Sequence, residues 1–347
     1  MKQTVLLFFF GVLCLLAKAQ QPYYNGINFT ETGLELRDDL AELVSQTHTN
    51  ILSYTPGVWE ASKVTDLDPD NPENVLLIYG YEDTSDQNST NDHFRDKNRN
   101  GGGNGDWNRE HTYAKSLGTP RFDNDDTPGS DAHHLRPSDV QMNGNRGNRK
   151  FADGSGNAGN LSSNWYPGDE WKGDVARMML YMYLRYGNRT LPTNVAVGTT
   201  NSIDPNMVDV LLKWNVEDPV SAVEDQRNAY HDSDAQYAQG NRNPFIDNPA
   251  LDTAIWGGDP AQDRWGILST TSPNTVTFSV YPNPAKYKTT IVTAAEVDEI
   301  VIFDVLGKKV DTLYNTKEID LSGYKQGLYF LNIYSGQKSE VVKFVVR

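Results

Sequence analysis

The sequence predicts an α+β protein in two parts: a mainly helical domain over residues 20–268 and a small all-β sandwich over residues 276–347, joined by a linker at 269–275. Three observations predict it. In the first part apolar residues recur at helical spacing, through Leu34, Leu36, Leu40, Leu43 and Val44, and again through a run at 175–184 that is apolar nearly all round. At 270–275 the composition turns to Ser, Thr, Pro and Asn, which marks a linker. Beyond it, short apolar runs separated by turn signals read as antiparallel strands. At 347 residues the chain is long enough for two domains and a substantial core.

The elements follow in order. Met1-Lys2, an apolar run at 5–16 and Ala17-Lys18-Ala19 describe a secretory signal peptide over residues 1–19, with cleavage after Ala19. The run is too short for a membrane span with its flanks, and a buried N-terminal helix would not need the A-x-A site. Cys14, the only cysteine, lies inside this segment, and Leu13 before it is not the small residue a lipoprotein site wants. The mature chain is therefore expected to have neither disulfide nor thiol chemistry. Residues 22–60 read as mostly helical, and 75–81 as a short apolar strand ending at an acidic loop. Residues 83–106 are polar and glycine-rich. Pro137-Ser138 opens a helix, with Ser138 and Gln141 as its capping box; on it Gln141, Asn145 and Asn148 share one polar face. The run at 175–184, with Met178, Met179, Leu180 and Met182, reads as a buried core helix, and 210–228 as another helical packing unit.

The chemistry concentrates at 108–151, which holds three of the six histidines. Asn108-Arg109-Glu110-His111 is followed by His133-His134-Leu135-Arg136-Pro137-Ser138-Asp139 and by Asn143-Gly144-Asn145-Arg146-Gly147-Asn148-Arg149-Lys150-Phe151. A carboxylate beside a histidine, with carboxamides and guanidiniums nearby, suits metal-assisted phosphodiester hydrolysis. Carboxylate and amide oxygens suit a hard cation, an imidazole can take a proton from water near neutral pH, and arginines can hold phosphate oxygens. His111 reads as a general base or as a structural histidine capping a turn. His133 and His134 lack the cysteines or H-E-x-x-H spacing of a zinc site and read as supports, with His134 the better site candidate. Of Arg136, Arg146 and Arg149, one can stabilise developing charge while the others position the backbone or pair with Asp139.

These blocks resemble the bacterial endonuclease I group of secreted and periplasmic nucleases with a ββα-metal core. The resemblance extends to Lys172-Gly173-Asp174-Val175-Ala176-Arg177 and Gln239-Gly240-Asn241-Arg242-Asn243-Pro244-Phe245-Ile246-Asp247, and covers roughly residues 24–265. It implies a hairpin-helix core in which His111 and Arg146 are catalytic and Glu110 and Asn148 hold the metal. Asn145 is the competing amide, and Arg136, Arg149, Lys150 and Arg177 are candidates for substrate binding. It implies Mg2+, with Mn2+ or Ca2+ as alternatives, and 5′-phosphate ends on DNA and also RNA, since water as nucleophile needs no 2′-hydroxyl. In an extended strand Glu110 and His111 face opposite ways, so bringing both to one site requires a kink or bulge.

Asp96-Lys97-Asn98-Arg99-Asn100-Gly101 matches the first half of an EF-hand loop, but Trp107 stands where the bidentate Glu belongs; a structural Ca2+ in the 83–106 loop is the remaining reading. The net charge of −15, about −17 once Lys2 and Lys18 leave with the leader, opposes tight nucleic-acid storage, whereas a nuclease needs only a local basic groove. The expected strands of the tail lie at 278–281, 289–293, 299–304, 327–334 and 341–346. With Val280-Tyr281-Pro282-Asn283-Pro284, Asp304-Val305-Leu306-Gly307-Lys308, Ile319-Asp320-Leu321-Ser322 and Gly327-Leu328-Tyr329-Phe330-Leu331, the tail resembles the C-terminal sorting domain of the type IX secretion system of Bacteroidetes-type bacteria. That resemblance implies export through the periplasm to the medium or cell surface, with the secretion machinery as partner; the chain is expected to act as a monomer. A carbohydrate-binding sandwich is disfavoured because the tail has no Trp. The competing reading of the whole chain is a noncatalytic calcium-binding surface or adhesion protein.

Overall fold

The computed structural model describes residues 22–83, 86–268, 278–293, 295–336 and 338–347. The expected signal peptide and linker lie outside the described residues. The chain divides into two compact units, one ending at Leu268 and one beginning at Ser269. No helix of the described residues is long and apolar enough to cross a membrane.

The first unit carries α1 (Gly33–Thr47), α2 (Trp59–Thr65), α3 (Thr127–Ser130), α4 (Val140–Arg146), α5 (Lys172–Tyr186), α6 (Pro192–Val195), α7 (Asp209–Glu217), α8 (Ala222–His231), α9 (Pro244–Asp247) and α10 (Ala250–Trp256). Three small antiparallel pairs accompany them: β1 (Asn74–Leu76) with β2 (Phe94–Asp96), β3 (Trp107–His111) with β4 (Leu135–Asp139), and β5 (Gly159–Leu161) with β6 (Asn164–Tyr166). Helix α5 is the centre. Every residue from Gly173 to Leu184 is buried, as expected of a helix apolar nearly all round, and it packs against α1 and α7. Helix α1 gives the core Leu36, Leu40 and Val44, one stripe of an amphipathic helix.

Three local expectations are corrected. The apolar run at 75–81 pairs only through Leu76; Leu77, Ile78 and Tyr79 are buried, and the chain turns at Tyr79, whose φ is 72°. The helix after the hairpin starts at Val140, not at Pro137-Ser138, because both of those residues belong to β4. Its cap is Asp139, whose Oδ1 accepts from the Gln141 and Met142 amides at 2.8 and 3.1 Å. The helix ends at Arg146, since Gly147 turns to φ 58°; Asn148 therefore lies beyond it, and the shared polar face does not form. Finally, β3 and β4 pair in unbroken register from Trp107↔Asp139 to His111↔Leu135, with no bulge at Glu110.

A buried ionic cluster ties the hairpin to the helices. Arg136 of β4, 1% exposed, donates to Asp66 at the end of α2 and to Asp174 of α5, the latter at 2.7 Å. Arg227 of α8 donates to the other oxygen of Asp66. Arg177 of α5 forks onto Glu224 of α8 at 2.5 and 2.7 Å.

The second unit has two antiparallel sheets. One runs β10 (Lys309–Tyr314), β9 (Glu299–Asp304), β12 (Gly327–Ser335), β13 (Lys338–Val346); the other runs β11 (Glu318–Asp320), β8 (Lys288–Val292), β7 (Ser279–Tyr281). Val280, Ile291 and Ile319 of one sheet share an apolar cluster with Ile300, Ile302, Leu331, Ile333 and Phe344 of the other. The sequence reading lacked β10 and β11. Both are edge strands; β10 buries none of its residues, and β11 is three residues long with only Ile319 buried, so neither writes an alternating signature.

Replacing Asp66 by alanine leaves two buried guanidiniums without their shared carboxylate. We expect a loss of about 3–5 kcal/mol of unfolding free energy. All seven tryptophans lie before residue 268, so their fluorescence in urea reports this unit alone. An unchanged midpoint would mean that the cluster is not structural.

Candidate active site

The site grows from β3, β4 and α4, which follow one another as two strands and a helix. Alternation along β3 puts Asn108 and Glu110 on one face and Trp107, Arg109 and His111 on the other. With no bulge, the two faces are built separately.

On the first face Glu110 is 2% exposed. Its Oε1 accepts from the Tyr79 hydroxyl at 3.1 Å and from Arg146 Nη1 at 3.0 Å. Burial pushes the carboxyl up to about 7, opposed by the nearby Arg146 charge and by both hydrogen bonds. Arg146 is fully buried and also donates to the carbonyls of His111 and Thr112 at 3.0 and 2.8 Å, with its guanidinium 4.7 Å over Phe151. Helix α4 thus hangs from the end of β3 by one guanidinium. One turn earlier on α4, Asn143 donates its amide to Asn108 Oδ1 at 2.8 Å, on the Glu110 side of the strand.

On the second face His111 Nε2 lies 2.9 Å from the Gly129 carbonyl. A carbonyl only accepts, so Nε2 carries the proton and Nδ1 keeps the lone pair. Burial, with His134 beside it, holds the imidazole well below its ordinary pKa, so it is neutral near pH 7. Its ring stacks on Tyr54 at 5.4 Å and 18°. His134 is fully buried with both nitrogens engaged, Nε2 donating to Pro128 O at 2.7 Å and Nδ1 accepting from the Tyr113 amide at 3.4 Å. His133 Nε2 reaches Asn241, whose amide donates to the Tyr181 hydroxyl at 2.9 Å. Gln239 bridges the Ala132 amide and Asp131. The Gln239-Gly240-Asn241 block therefore acts as scaffolding for the entry to β4.

The sequence-predicted residues separate into three groups. Glu110, His111, His134 and Arg146 come together around the end of β3. Arg136 and Arg177 sit in the interior ionic cluster, where they brace the hairpin and α5 instead of lining an open surface. Arg146 is buried as well, with both terminal nitrogens committed to protein acceptors. Asn145 and Asn148 are exposed; Asn148 donates to Ser116 Oγ at 3.2 Å. Arg149 and Lys150 are half-buried beside them, Arg149 reaching the Asn145 carbonyl and Lys150 that of Thr193. Tyr79, Tyr54, Gly129 and the amide of Asn143 were not among the expected site residues. Tyr79, Tyr54 and Gly129 arrive from distant segments, so nothing in their local spacing announces them. Asn143 sits in the quoted motif, but only the true start of α4 turns it toward β3.

The Glu110 face supplies one carboxylate with the neutral amides of Asn108 and Asn143. Such oxygen donors suit a hard divalent ion that keeps several waters. Among the described residues, no group of three His, Cys, Asp or Glu is arranged to hold an ion. In the 83–106 loop, Asp96 and Asp106 turn onto the loop's own amides of Asn98 and Gly103.

Residues 32–250 match the family described as Endonuclease I, and residues 279–347 match the secretion system C-terminal sorting domain. An extracellular ribonuclease of Bacillus amyloliquefaciens is 43% identical over 236 residues, 65% of this chain and 75% of its own length. An extracellular ribonuclease of Bacillus subtilis (strain 168) is 42% identical over 261 residues, 71% of this chain and 84% of its own. Family membership sets aside the noncatalytic adhesion reading, and the sorting domain marks export by the type IX route to the cell surface or medium. The chain belongs to the endonuclease I family and is a secreted nuclease, a hydrolase acting on nucleic acids.

Proposed function

We propose that this nuclease hydrolyses the phosphodiester bonds of both DNA and RNA, with water as nucleophile and His111 as general base. The observation that carries the reading is the His111 ring, neutral and committed through Nε2–H to Gly129, with Nδ1 left as the free lone pair. His111 takes a proton from water as its oxygen attacks phosphorus; the P–O3′ bond breaks, the 3′-oxygen takes a proton from solvent, and a 5′-phosphate and a 3′-hydroxyl result. No ribose 2′-hydroxyl enters this step. The names of the two Bacillus relatives support RNA as a substrate.

The family generally depends on a divalent metal. Here Glu110 would hold it, and when bound it would offset charge developing on the phosphate and the leaving oxygen. Mg2+ fits an oxygen-only donor set best. For the amide ligand the geometry supports Asn143, which faces Glu110's side of β3, over Asn148, which lies past the end of α4 and reaches Ser116. Arg146 positions Glu110 and the His111 carbonyl. Arg149 and Lys150, with Lys115 on the neighbouring turn, are the cations open to phosphate oxygens.

Four outcomes test this reading. His111→Ala should lower the rate of plasmid nicking and of RNA cleavage by ~10²–10⁴-fold in a protein that still folds. A near-normal rate refutes His111 as base. Treatment with EDTA should abolish both activities. Titrating Mg2+ should show Asn143→Ala needing about 10-fold more ion or above for half-maximal rate, with Asn145→Ala and Asn148→Ala milder. The reverse order would return the ligand to Asn148. Lastly, a chain ending at residue 268 should keep its nuclease rate, since every named site residue precedes that point, and should lose export in its host. A folded but inactive truncation would overturn the assignment of catalysis to the first unit.

A further inference from the structure

Trp107, Arg109 and His111, which share one face of β3, build a ladder of stacked groups that the hydrolysis step does not itself require. Trp107 meets Trp59 edge-on at 4.8 Å; Trp59 lies 4.0 Å from the Arg109 guanidinium; that guanidinium lies 3.5 Å over the Tyr54 ring; and Tyr54 stacks on His111. Trp107, Arg109 and His111 come from alternate positions of one strand, and Tyr54 and Trp59 from the segment that leads into α2. That segment is closely built. Ser53 Oγ accepts from the Gly57 amide at 3.2 Å, and a Cβ on Gly57 would stand 3.2 Å from Ser53 Oγ and 3.3 Å from Leu52 Cβ. Arg109 closes the ladder by donating to the Tyr54 carbonyl and to Thr55 Oγ1, the latter at 3.1 Å. Among the described residues it is held by stacking and hydrogen bonds, with no carboxylate paired to it.

We propose that Tyr54 is a positioning residue for this nuclease, its ring setting the plane of the His111 imidazole. The proposal rests on the reading of His111 as the base. The hydrogen bond to Gly129 anchors one atom of the imidazole, and about that anchor the ring can still tilt. A parallel ring on its face removes the tilt and holds Nδ1 on one line, as proton transfer from a single water requires. The contacts run through the Tyr54 ring and main-chain carbonyl, so the ring carries the role and the hydroxyl does not. With a guanidinium at 3.5 Å and an imidazole already on it, the ring offers little face to a nucleobase.

The test is steady-state cleavage of a fluorogenic oligonucleotide by the full chain at saturating Mg2+. Tyr54→Leu should lower kcat by about 10–100-fold with KM within about twofold, and Tyr54→Phe should restore kcat to within about twofold of the parent. In a His111→Ala background, Tyr54→Leu should not lower the residual rate further, because it acts through the missing ring. If Tyr54→Leu fails to fold, as judged by tryptophan fluorescence, Arg109→Met decides: it removes the group that clamps Tyr54, and a kcat loss at constant KM is again expected. A parental kcat in the folded variant overturns the proposal. So does a loss confined to KM, which makes Tyr54 a substrate contact, or an additive loss on His111→Ala. A parental rate in His111→Ala itself sinks the base reading and the proposal with it, whereas a harmless Tyr54→Leu beside an inactive His111→Ala sinks the ladder alone.

Discussion

The guanidinium of Arg136, enclosed between Asp66 and Asp174, is the constraint on which the rest of the nuclease unit depends. It leaves β4 from the middle of the hairpin, so wherever it is held the hairpin is held. Its partners belong to α2 and to the central helix α5. A buried guanidinium without its carboxylates would cost several kcal/mol, which leaves the hairpin one seat on the core. Asp66 also serves Arg227 of α8, and Asp174 lies 3.7 Å from Arg177, so the cluster draws three helices and the hairpin onto common carboxylates.

With the hairpin seated, the alternation of β3 divides the chemistry. Glu110 turns toward α4 and is gripped by Arg146 and Tyr79; His111 turns toward the 54–59 segment and Gly129. Each group is fixed by partners of its own face, and the Arg146 bonds to the His111 and Thr112 carbonyls join the two across the strand. The burial that pushes the Glu110 carboxyl up is the same burial that keeps His111 neutral. A base must be neutral to accept a proton, so on the proposed reading of His111 the desolvation serves the reaction. For Glu110 it raises the cost of the charged form, which a divalent cation or Arg146 offsets.

The charge of the molecule gains a simple explanation. Several of the arginines that suggested a basic groove are structural and interior, and the surface left behind is acidic overall, at −15 for the whole chain. On the proposed reading, substrate contact falls to a few cations near the end of α4 and the adjoining turn, Arg149, Lys150 and Lys115. Few phosphate contacts mean weak, readily reversed binding, which suits an extracellular enzyme that must release its products.

Much was legible in the sequence because it was local. The core helix at 172–186 follows from apolar residues on every side, and the tail from short strands between turn signals; Glu110-His111 is a candidate pair from a motif whose chemistry is written in consecutive residues. The family match bears out that reading of the chain as an exported nuclease. What lay beyond reach depended on partners distant in the chain. Asp139 rather than Ser138 caps α4, because Ser138 is committed to the hairpin. Gly147 ends the helix before Asn148, which removes that amide from the face where the motif placed it. Arg136, Arg146 and Arg177 look alike in the sequence to Arg149, and only the burial of their carboxylate partners distinguishes a brace from a phosphate contact. Residue type and spacing determined which chemistry this chain carries. Tertiary packing decided which of those groups are enclosed as braces and which stay open to solvent, because burial against protein partners depends on segments distant in the chain and residue type does not reveal it.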